Sequence, residues 1–217
     1  MSIPFTVGVT GGIGCGKTVA TDYFSGRGIT IVDADLASRV VVKSGKPALD
    51  AIVQRHGHDI LKKNGTLNRR KMRNIIFTSR AEKRWLEELL HPLINQQLRR
   101  ELGAVRSLYA ILVSPLMVET GQIELVDRLL VIDISEEVQL IRTMQRDKMT
   151  EVETQRIIDS QTDRKQRLSL ADDIVDNSGS ITKLHQQLEI CHQHYLMLAK
   201  NFSQKTASNV QLPHNKQ

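Results

Sequence analysis

The chain has 217 residues, of which 40% are hydrophobic and 25% charged, and its formal net charge at pH 7 is +6. This composition is typical of globular proteins and excludes a disordered or fibrous chain. Only 4% of the residues are aromatic, which leaves little material for stacking nucleic-acid bases, so we expect no nucleic-acid partner. Two cysteines cannot form a disulfide framework, and no apolar run approaches the roughly 20 residues that cross a bilayer, so we expect a cytoplasmic protein without membrane contact.

The predicted elements begin with a strand, a loop and a helix. Residues 4–9 alternate in the manner of a strand, residues 10–18 are rich in glycine, and a helical pattern continues to residue 24. Later apolar runs of strand length predict four more strands, at residues 29–32, 108–113, 129–134 and 174–175. Because apolar strands separated by helices are typical of a parallel sheet covered on both faces, the pattern predicts a three-layer α/β core with five parallel strands.

Three segments fall outside this predicted core of residues 1–35, 108–135 and 169–202. Residues 36–107 read as several helices and are too long for one crossover connection, so they predict a helical insertion. Residues 136–168 are helical and charged, with a break where Thr150 can cap a new helix together with Glu153, and they resemble a lid. Residues 203–217 contain two lysines and no acids, which predicts a disordered tail.

Residues 11–18 satisfy the pattern G-x-x-x-x-G-K-[ST] between a predicted strand and a predicted helix. Glycines let such a loop curl so that backbone N–H groups and the helix N-terminus point at phosphate. Lys17 is then expected to reach the β- and γ-phosphates of ATP, and the Thr18 hydroxyl to bind Mg²⁺. The predicted nucleotide contacts are Gly12, Ile13, Gly14, Cys15, Gly16, Lys17, Thr18 and Val19.

A P-loop by itself does not distinguish kinases from GTPases or other ATPases. The sequence contains no Asn-Lys-x-Asp segment for guanine recognition and no Asp-x-x-Gly segment after the third strand, which disfavours a GTPase. A motor or transporter ATPase would be longer and would carry segments that couple it to a partner. The P-loop kinases therefore remain the favoured class.

Two aspartates, Asp33 and Asp35, follow the second predicted strand. In an open α/β sheet, ligands bind beyond the carboxyl ends of the strands, which is the edge that carries the P-loop. A carboxylate there can accept the proton of an acceptor hydroxyl or hold Mg²⁺, so Asp33 is predicted to be catalytic and either aspartate is a possible metal ligand. The alternative is that one of them, Asp35 more than Asp33, caps the helix that begins near residue 36.

The predicted lid carries cations at helical spacing. Gln139, Arg142 and Arg146 are spaced i, i+3, i+7 and share one helical face. Guanidinium groups that close over a transferring phosphate neutralise its charge and exclude water, so Arg142 and Arg146 are predicted to be catalytic. The competing interpretation is an ordinary solvated helix surface. Beyond the helix break follow Arg164, Lys165 and Arg167.

Several short segments, taken together and in order, resemble one enzyme family. They are residues 9–18 (VTGGIGCGKT), residues 32–35 (VDAD), residues 91–94 (HPLI), Pro115-Leu116 with Glu119, the set Gln139, Arg142 and Arg146-Asp147, then Gln161, Ala171-Asp172 and residues 176–179 (DNSG). The series covers nearly the whole chain, to about residue 201, and it resembles the dephospho-coenzyme A kinase family.

The resemblance implies transfer of phosphate from ATP to 3′-dephospho-coenzyme A, which gives ADP and coenzyme A in the last step of coenzyme A synthesis. It implies a core like that of nucleoside-monophosphate kinases, with residues 36–107 as an acceptor-binding domain and residues 136–168 as a lid. Asp33 is the implied base toward the ribose 3′-hydroxyl, and Asn177 is implied to lie near adenine. The implied partners are the small molecules ATP and dephospho-coenzyme A, and we expect a monomer or a weak homo-oligomer.

The sequence departs from the family pattern at a few positions. Val19 stands where the family has a second hydroxyl residue after the P-loop lysine, and it offers only its backbone N–H to phosphate. Ser114, Val118 and Asn68 also replace residues usual in the family. Two other readings stay open: a kinase of similar architecture for another alcohol, and a nucleotide-gated binding protein whose basic helices engage RNA or a protein.

Overall fold

A computed structural model describes residues 3–210, and the side chains of residues 3–205. The chain divides into two compact units. The first comprises the described residues of Met1–Val32 and Glu101–Gln217, and the second is Asp33–Arg100. We describe each unit by itself.

The sheet is parallel and has five strands in the order β2-β3-β1-β4-β5. The strands, numbered in chain order, are β1 (Thr6–Thr10), β2 (Thr30–Asp33), β3 (Ala110–Val113), β4 (Arg128–Asp133) and β5 (Asp173–Asp176). Strand β1 pairs in parallel with both β3 and β4, and β4 pairs in parallel with β5. The predicted fold class is confirmed, and each of the five predicted strands overlaps an observed strand.

The described part of the chain has nine α-helices. They are α1 (Lys17–Ser25), α2 (Ala34–Val40), α3 (Pro47–His56), α4 (Arg69–Thr78), α5 (Arg80–Gly103), α6 (Glu136–Asp147), α7 (Glu151–Asp159), α8 (Arg164–Ser169) and α9 (Ile181–Val210), with short 3₁₀ turns at His58–Ile60 and Gln122–Leu125. Among the described residues, none of the helices is long and apolar enough to cross a membrane.

The core of the first unit forms around β1, whose five residues are all buried. Val7 and Val9 pack there with aromatic and aliphatic side chains of helices α1 and α9, including Phe24 and Leu188. Strand β1 lies between β3 and β4, so both of its edges are paired, and the burial of all five residues shows that both of its faces are covered as well. The loop that follows β1 therefore starts from a rigid, buried strand.

A buried polar cluster joins α9 to the start of β5. Asp173 accepts hydrogen bonds from Arg128 Nε and Nη2, at 2.6 and 2.9 Å, and from the Tyr195 hydroxyl at 2.8 Å. Nearby in the same core, the Tyr109 hydroxyl and His192 Nδ1 are 2.7 Å apart. Buried polar groups are tolerated when they are paired in this way, and the pairing fixes where β5 begins.

The second unit is helical and has an apolar core of its own. Ile52, Ile60 and Met72 are buried at its centre, and side chains of α5 such as Trp85 pack against them. Helix α3 begins with Pro47, where a missing N–H costs nothing, and helix α4 is capped by Asn68, whose Oδ1 accepts from Lys71 N at 3.2 Å. This unit thus owes its form to ordinary apolar packing and local caps.

The segments predicted outside the core need several corrections. The compact helical unit spans 33–100 rather than the predicted 36–107, because β2 leads directly into α2 and α5 continues into the first unit. Its role in binding an acceptor stays a prediction, as does the lid role of residues 136–168, which form α6 to α8 within the first unit. The predicted cap at Thr150 is confirmed, since Thr150 and Glu153 form a reciprocal capping box.

The prediction of a disordered tail from residue 203 is wrong for residues 203–210, which continue helix α9. The Phe202 ring lies 5.8 Å from that of Phe5, and the Ser203 hydroxyl donates to the Ala199 carbonyl at 3.0 Å. Contacts of this kind can extend a helix into a segment of polar composition, so composition alone is a weak predictor of disorder. The rest of the predicted tail, residues 211–217, lies outside the described residues.

Candidate active site

The loop between β1 and α1 has the backbone that a phosphate-binding loop requires. Gly14 and Gly16 have φ angles of 73° and 92°, in the left-handed region that favours glycine, and Gly16 is the N-cap of α1. Lys17 is the first residue of that helix. Backbone N–H groups at a helix N-terminus attract anions, so this end of α1 is suited to phosphate.

Two side chains hold the loop in this shape. Asn177 Nδ2 donates to the Cys15 carbonyl at 2.8 Å, in a hydrogen bond that is fully buried. Lys17 Nζ donates to the carbonyls of Gly11 and Gly12, at 2.7 and 3.1 Å. The carbonyl oxygens of Gly11, Gly12 and Cys15 therefore accept from these two side chains, and the Cys15 N–H donates within the loop to the Gly12 carbonyl at 3.3 Å.

The turn that presents Asn177 is itself held by an ion pair. Asp176, the last residue of β5, accepts hydrogen bonds from the Ser178 hydroxyl and backbone and from Lys183 Nζ. These hydrogen bonds lower the pKa of Asp176 to about 2, so its carboxylate stays charged at any ordinary pH. A permanently charged Asp176 keeps the turn, and with it the Asn177 amide, in one conformation.

Helix α6 packs directly on the loop. Gln139 and Thr143 are buried, and a Cβ atom at Gly12 would collide with Gln139 Oε1, while one at Gly14 would lie only 2.8 Å from Thr143 Oγ1. Both of these oxygens are buried without a hydrogen-bond partner among the described residues. The loop thus needs glycine at Gly12 for space, although its φ angle there is one that other residues adopt.

The loop between α7 and α8 forms a third contact with the P-loop. Gln161 Oε1 accepts from the backbone N–H of Ile13 at 3.0 Å. The next residue, Thr162, donates its N–H to Glu119 Oε1 at 2.7 Å, and its carbonyl accepts from Arg167 Nη2. One of the loop amides predicted to face nucleotide is therefore paired with a side chain from the predicted lid.

Comparison with known proteins now decides the family. A family model described as dephospho-CoA kinase matches residues 5–183. A dephospho-CoA kinase of Yersinia pseudotuberculosis is 45% identical over 195 residues, which cover 90% of this chain and 95% of the relative. The chain belongs to the dephospho-CoA kinase family. This confirms the family predicted from the motifs and the enzyme class with it, an ATP-dependent kinase.

Solved structures agree with the fold. A dephospho-CoA kinase from Campylobacter jejuni is 27% identical, with a TM-score of 0.69, and the match covers 90% of this chain and 98% of that one. The Thermus thermophilus protein TT1252 is 22% identical, with a TM-score of 0.77, over 89% of this chain and 98% of its own. The second match bears on the fold alone, and both agree with the parallel five-stranded sheet and its covering helices.

The two aspartates after β2 differ from the prediction in one respect. Asp33, rather than Asp35, caps helix α2: its Oδ1 accepts from the N–H groups of Asp35 and Leu36, at 2.7 and 3.2 Å. Asp33 also ends β2, because a residue at the N-cap keeps an extended backbone. The sequence favoured Asp35 over Asp33 as the helix cap, and that prediction is wrong.

The two arginines of α6 predicted to be catalytic have different hydrogen-bond partners. Arg142 Nη2 donates to the Asn177 carbonyl at 3.0 Å, so it lies beside the residue that anchors the loop. Arg146, by contrast, pairs with the neighbouring Asp147 at 2.7 Å, and its side chain is 61% exposed. This pairing raises the pKa of Arg146, to which the nearby Cys15 of the P-loop also contributes electrostatically.

Three side chains near the P-loop were not among the predicted site residues. Thr143 could have been found, because it lies four positions after Gln139 on the same face of α6. Gln161 appeared only within the family resemblance, and Arg167 only as one of three cations after the helix break. Neither has a local signal, since both reach the loop from more than 140 positions away.

Proposed function

We propose that the protein transfers the γ-phosphoryl group of ATP to the 3′-hydroxyl of dephospho-coenzyme A and releases ADP and coenzyme A. The observation that carries this proposal is a fully formed P-loop, anchored by Lys17 and Asn177, in a chain that belongs to the dephospho-CoA kinase family. Phosphoryl transfer asks the protein chiefly for positioning and charge neutralisation, and the loop supplies both.

The loop amides and Lys17 hold the triphosphate in this proposal. When ATP enters, Lys17 Nζ exchanges its bonds to the Gly11 and Gly12 carbonyls for phosphate oxygens, a charge-assisted and therefore stronger interaction. Asn177 contributes through the Cys15 carbonyl that it holds, and we retain it as a residue of the nucleotide site. Arg142 is fixed beside it and adds positive charge to this end of the sheet.

The residues also fit a magnesium ion bound together with ATP. Thr18, in the first turn of α1, is exposed, and its hydroxyl has no hydrogen-bond partner among the described residues. The described residues contain no group of three or more His, Cys, Asp or Glu side chains that could hold a metal. Such a group is not required, because Mg²⁺ in kinases is held by few protein ligands together with phosphate oxygens and water. We propose Thr18, with Asp33 or Asp35, as the protein ligands. When bound, the ion neutralises charge on the β- and γ-phosphates.

Asp33 has the properties of a positioned base. Two backbone N–H groups hold its Oδ1, which fixes the plane of the carboxylate. Its Oδ2 has no hydrogen-bond partner among the residues that the structure describes, so one oxygen stays available for an acceptor hydroxyl. We propose that Oδ2 accepts the proton as the hydroxyl oxygen attacks phosphorus.

The substitution Asp33→Asn tests this role without disturbing the helix. Asparagine caps helices as well as aspartate does, so α2 and the stability of the protein should be kept. The expected result is a fall in kcat of about 10²- to 10⁴-fold with dephospho-coenzyme A, because the base is lost, while the Kd for ATP stays within a few-fold. Steady-state kinetics and nucleotide titration measure the two quantities.

A matched control and an acceptor panel complete the test. Asp35→Asn should affect kcat less than Asp33→Asn if Asp33 is the base, and the opposite order would exchange the two roles. Wild-type protein should consume ATP with dephospho-coenzyme A faster than with nucleosides, nucleotides or other alcohols. No turnover with dephospho-coenzyme A would reject the proposed reaction, and salt-sensitive RNA binding that survives Asp33→Asn would favour a binding protein.

Two further properties stay predictions from the sequence: a cytoplasmic location, and a monomer or weak homo-oligomer in solution. Sedimentation at several protein concentrations would determine the second.

A further inference from the structure

Arg167 is a buried cation without a carboxylate partner. Only 7% of its surface is exposed, and its one hydrogen bond among the described residues runs from Nη2 to the Thr162 carbonyl. By contrast, Arg164 in the same helix forms a bidentate pair with Asp133, at 2.9 and 2.6 Å. A guanidinium has five N–H donors, so most of those on Arg167 remain unused.

The unused donors of Arg167 face solvent, because none of its nitrogens is among the fully buried side-chain atoms that lack a hydrogen-bond partner in the described part of the chain. A guanidinium in such a place can exchange water for the oxygens of an anion, in charge-assisted hydrogen bonds. No salt bridge to Arg167 occurs in the part of the chain that the structure describes, whereas the half-buried Arg128 pairs with Asp173. The site around Arg167 is therefore suited to a negatively charged group that is not part of the protein.

The guanidinium borders the P-loop. Arg167 Nη1 lies 2.9 Å from the position that a Cβ atom on Gly12 would occupy, so the absence of a side chain on Gly12 is what allows it to approach. Gly12 is the second residue of the loop that cradles phosphate, and its carbonyl is one of the two that Lys17 contacts. In the proposed function, the anions nearest to this loop are the phosphates of the nucleotide.

The backbone around Arg167 is held as a positioned catalytic group requires. Its partner Thr162 is fixed by Glu119, and the adjacent Gln161 is bonded to Ile13 of the P-loop itself. Asp163 caps helix α8 by accepting from Gln166 N at 3.0 Å. Arg167 is thus connected to the P-loop through Thr162 and Gln161, and these contacts restrict its position.

We propose that Arg167 is a catalytic residue that binds the phosphoryl group while it is transferred, a role that the sequence predicted for Arg142 and Arg146. In the step, the acceptor oxygen forms a bond to phosphorus, the bond to the bridging oxygen of ADP breaks, and the hydroxyl proton passes to Asp33. Arg167 neither gains nor loses a proton, and it neutralises charge on the non-bridging oxygens. The proposal rests on the proposed function.

Three variants test it. Arg167→Gln and Arg167→Lys should lower kcat with dephospho-coenzyme A by about 10²- to 10³-fold, because a fixed donor to the transition state is removed, while the Kd for ATP changes only a few-fold. Lysine keeps the charge but not the planar fork, so it should not restore the rate. Arg156→Gln, an exposed arginine on α7, is the matched control and should leave kcat unchanged.

A purely structural role for Arg167 makes different predictions. If the role is only structural, substitution of Arg167 should lower the melting temperature and the active fraction together and leave kcat per active site unchanged. Added guanidinium should then not restore turnover. The catalytic role predicts that guanidinium, at concentrations too low to unfold the protein, partly restores turnover in Arg167→Ala. A kcat for Arg167→Gln within about threefold of wild type, in folded protein, would overturn the proposal.

A structure of the wild-type protein with ADP, aluminium fluoride and dephospho-coenzyme A decides the matter even if the variants do not fold. A guanidinium nitrogen of Arg167 should lie about 2.7 to 3.2 Å from a fluoride that replaces a phosphoryl oxygen. Arg167 bonded only to the Thr162 carbonyl in that complex would refute the proposal. Because the wild-type assay is run first, a wild type that turns over beside an unaffected Arg167 variant refutes this inference alone, and an inactive wild type refutes both.

Discussion

The P-loop surroundings and the helical unit of residues 33–100 are built on opposite principles. The loop is held by polar contacts from side chains far away in the sequence, such as Asn177 to Cys15 and Gln161 to Ile13. The helical unit is held by apolar packing around Ile52 and by caps that involve neighbouring residues. A few directed hydrogen bonds fix the conformation of the first region, and a continuous apolar core fixes that of the second.

The difference predicts how each region responds to substitution. Directed hydrogen bonds to the P-loop fix the geometry of the loop more than they stabilise the protein, because each contributes only about 0.5 to 1.5 kcal/mol net. Core side chains contribute several times more to stability and do not touch the reacting groups. Changes near the loop should therefore separate activity from stability, and changes in the helical core should do the reverse.

The largest effect is expected for Lys17→Met, which removes the charge at the loop. We expect kcat/KM for ATP to fall by about 10³-fold, equivalent to about 4 kcal/mol, because the cation that we propose to bind phosphate is lost. The free energy of unfolding should change by about 1 kcal/mol or less, since only hydrogen bonds to loop carbonyls disappear. Kinetics and urea denaturation measure the two. Equal losses of activity and stability would contradict the comparison.

A core change in the helical unit, Ile52→Ala, should have the opposite profile. Ile52 is fully buried, so the free energy of unfolding should fall by about 2 to 5 kcal/mol, while kcat per folded molecule stays close to that of wild type. Phe77→Ala is the control, because Phe77 in the same unit is 81% exposed and its change should stay within about 0.5 kcal/mol. A large effect at Phe77 with none at Ile52 would invalidate the assigned core.

The cluster at the start of β5 gives an intermediate effect that depends on pH. Burial acts to raise the pKa of Asp173, but the hydrogen bonds from Arg128 and Tyr195 outweigh it and hold the pKa below its usual value. A lowered pKa means that the carboxylate stabilises the fold above the pKa of the unfolded chain, and that this contribution is lost as the pH falls through the folded pKa. Asp173→Asn should therefore cost about 1.5 to 3 kcal/mol at pH 7.

The pH dependence provides the check on Asp173. The stability difference between wild type and Asp173→Asn should shrink as the pH falls below about 4, where the unfolded carboxyl takes up its proton. Denaturation at pH 7 and at acid pH measures it. Asp147→Asn removes an exposed carboxylate and should leave the denaturation midpoint unchanged at both values. A difference that grows in acid would mean that the sign assigned to Asp173 is incorrect.

The smallest effect is expected at a helix cap. Asn68→Ala removes the acceptor for Lys71 N at the start of α4 and should lower the free energy of unfolding by about 1 kcal/mol. Asn68→Asp keeps the acceptor and places a negative charge near the helix N-terminus, so it should match or slightly exceed wild type. Urea denaturation distinguishes the two, and equal stability of the alanine and aspartate variants would show that this cap contributes nothing.

Features of the fold that repeat locally could be predicted from the sequence. The five strands were found from apolar runs, and the capping box at Thr150 from two side chains three residues apart. The end of α9 was missed because the packing of Phe202 on Phe5 joins residues at opposite ends of the chain. The limits of the helical unit were missed by a few residues because no composition change marks them.

The sequence by itself determined the P-loop, the order of strands and helices, and the enzyme family, because these are carried by periodicity and by motifs of neighbouring residues. Only the tertiary structure decided which side chains complete the site. It turned Arg146 to Asp147, brought Arg167 to Gly12, and used Asp33 as both strand end and helix cap. The physical reason is distance along the chain: a hydrogen bond such as that between Ile13 and Gln161 spans 148 positions, and no local pattern encodes it.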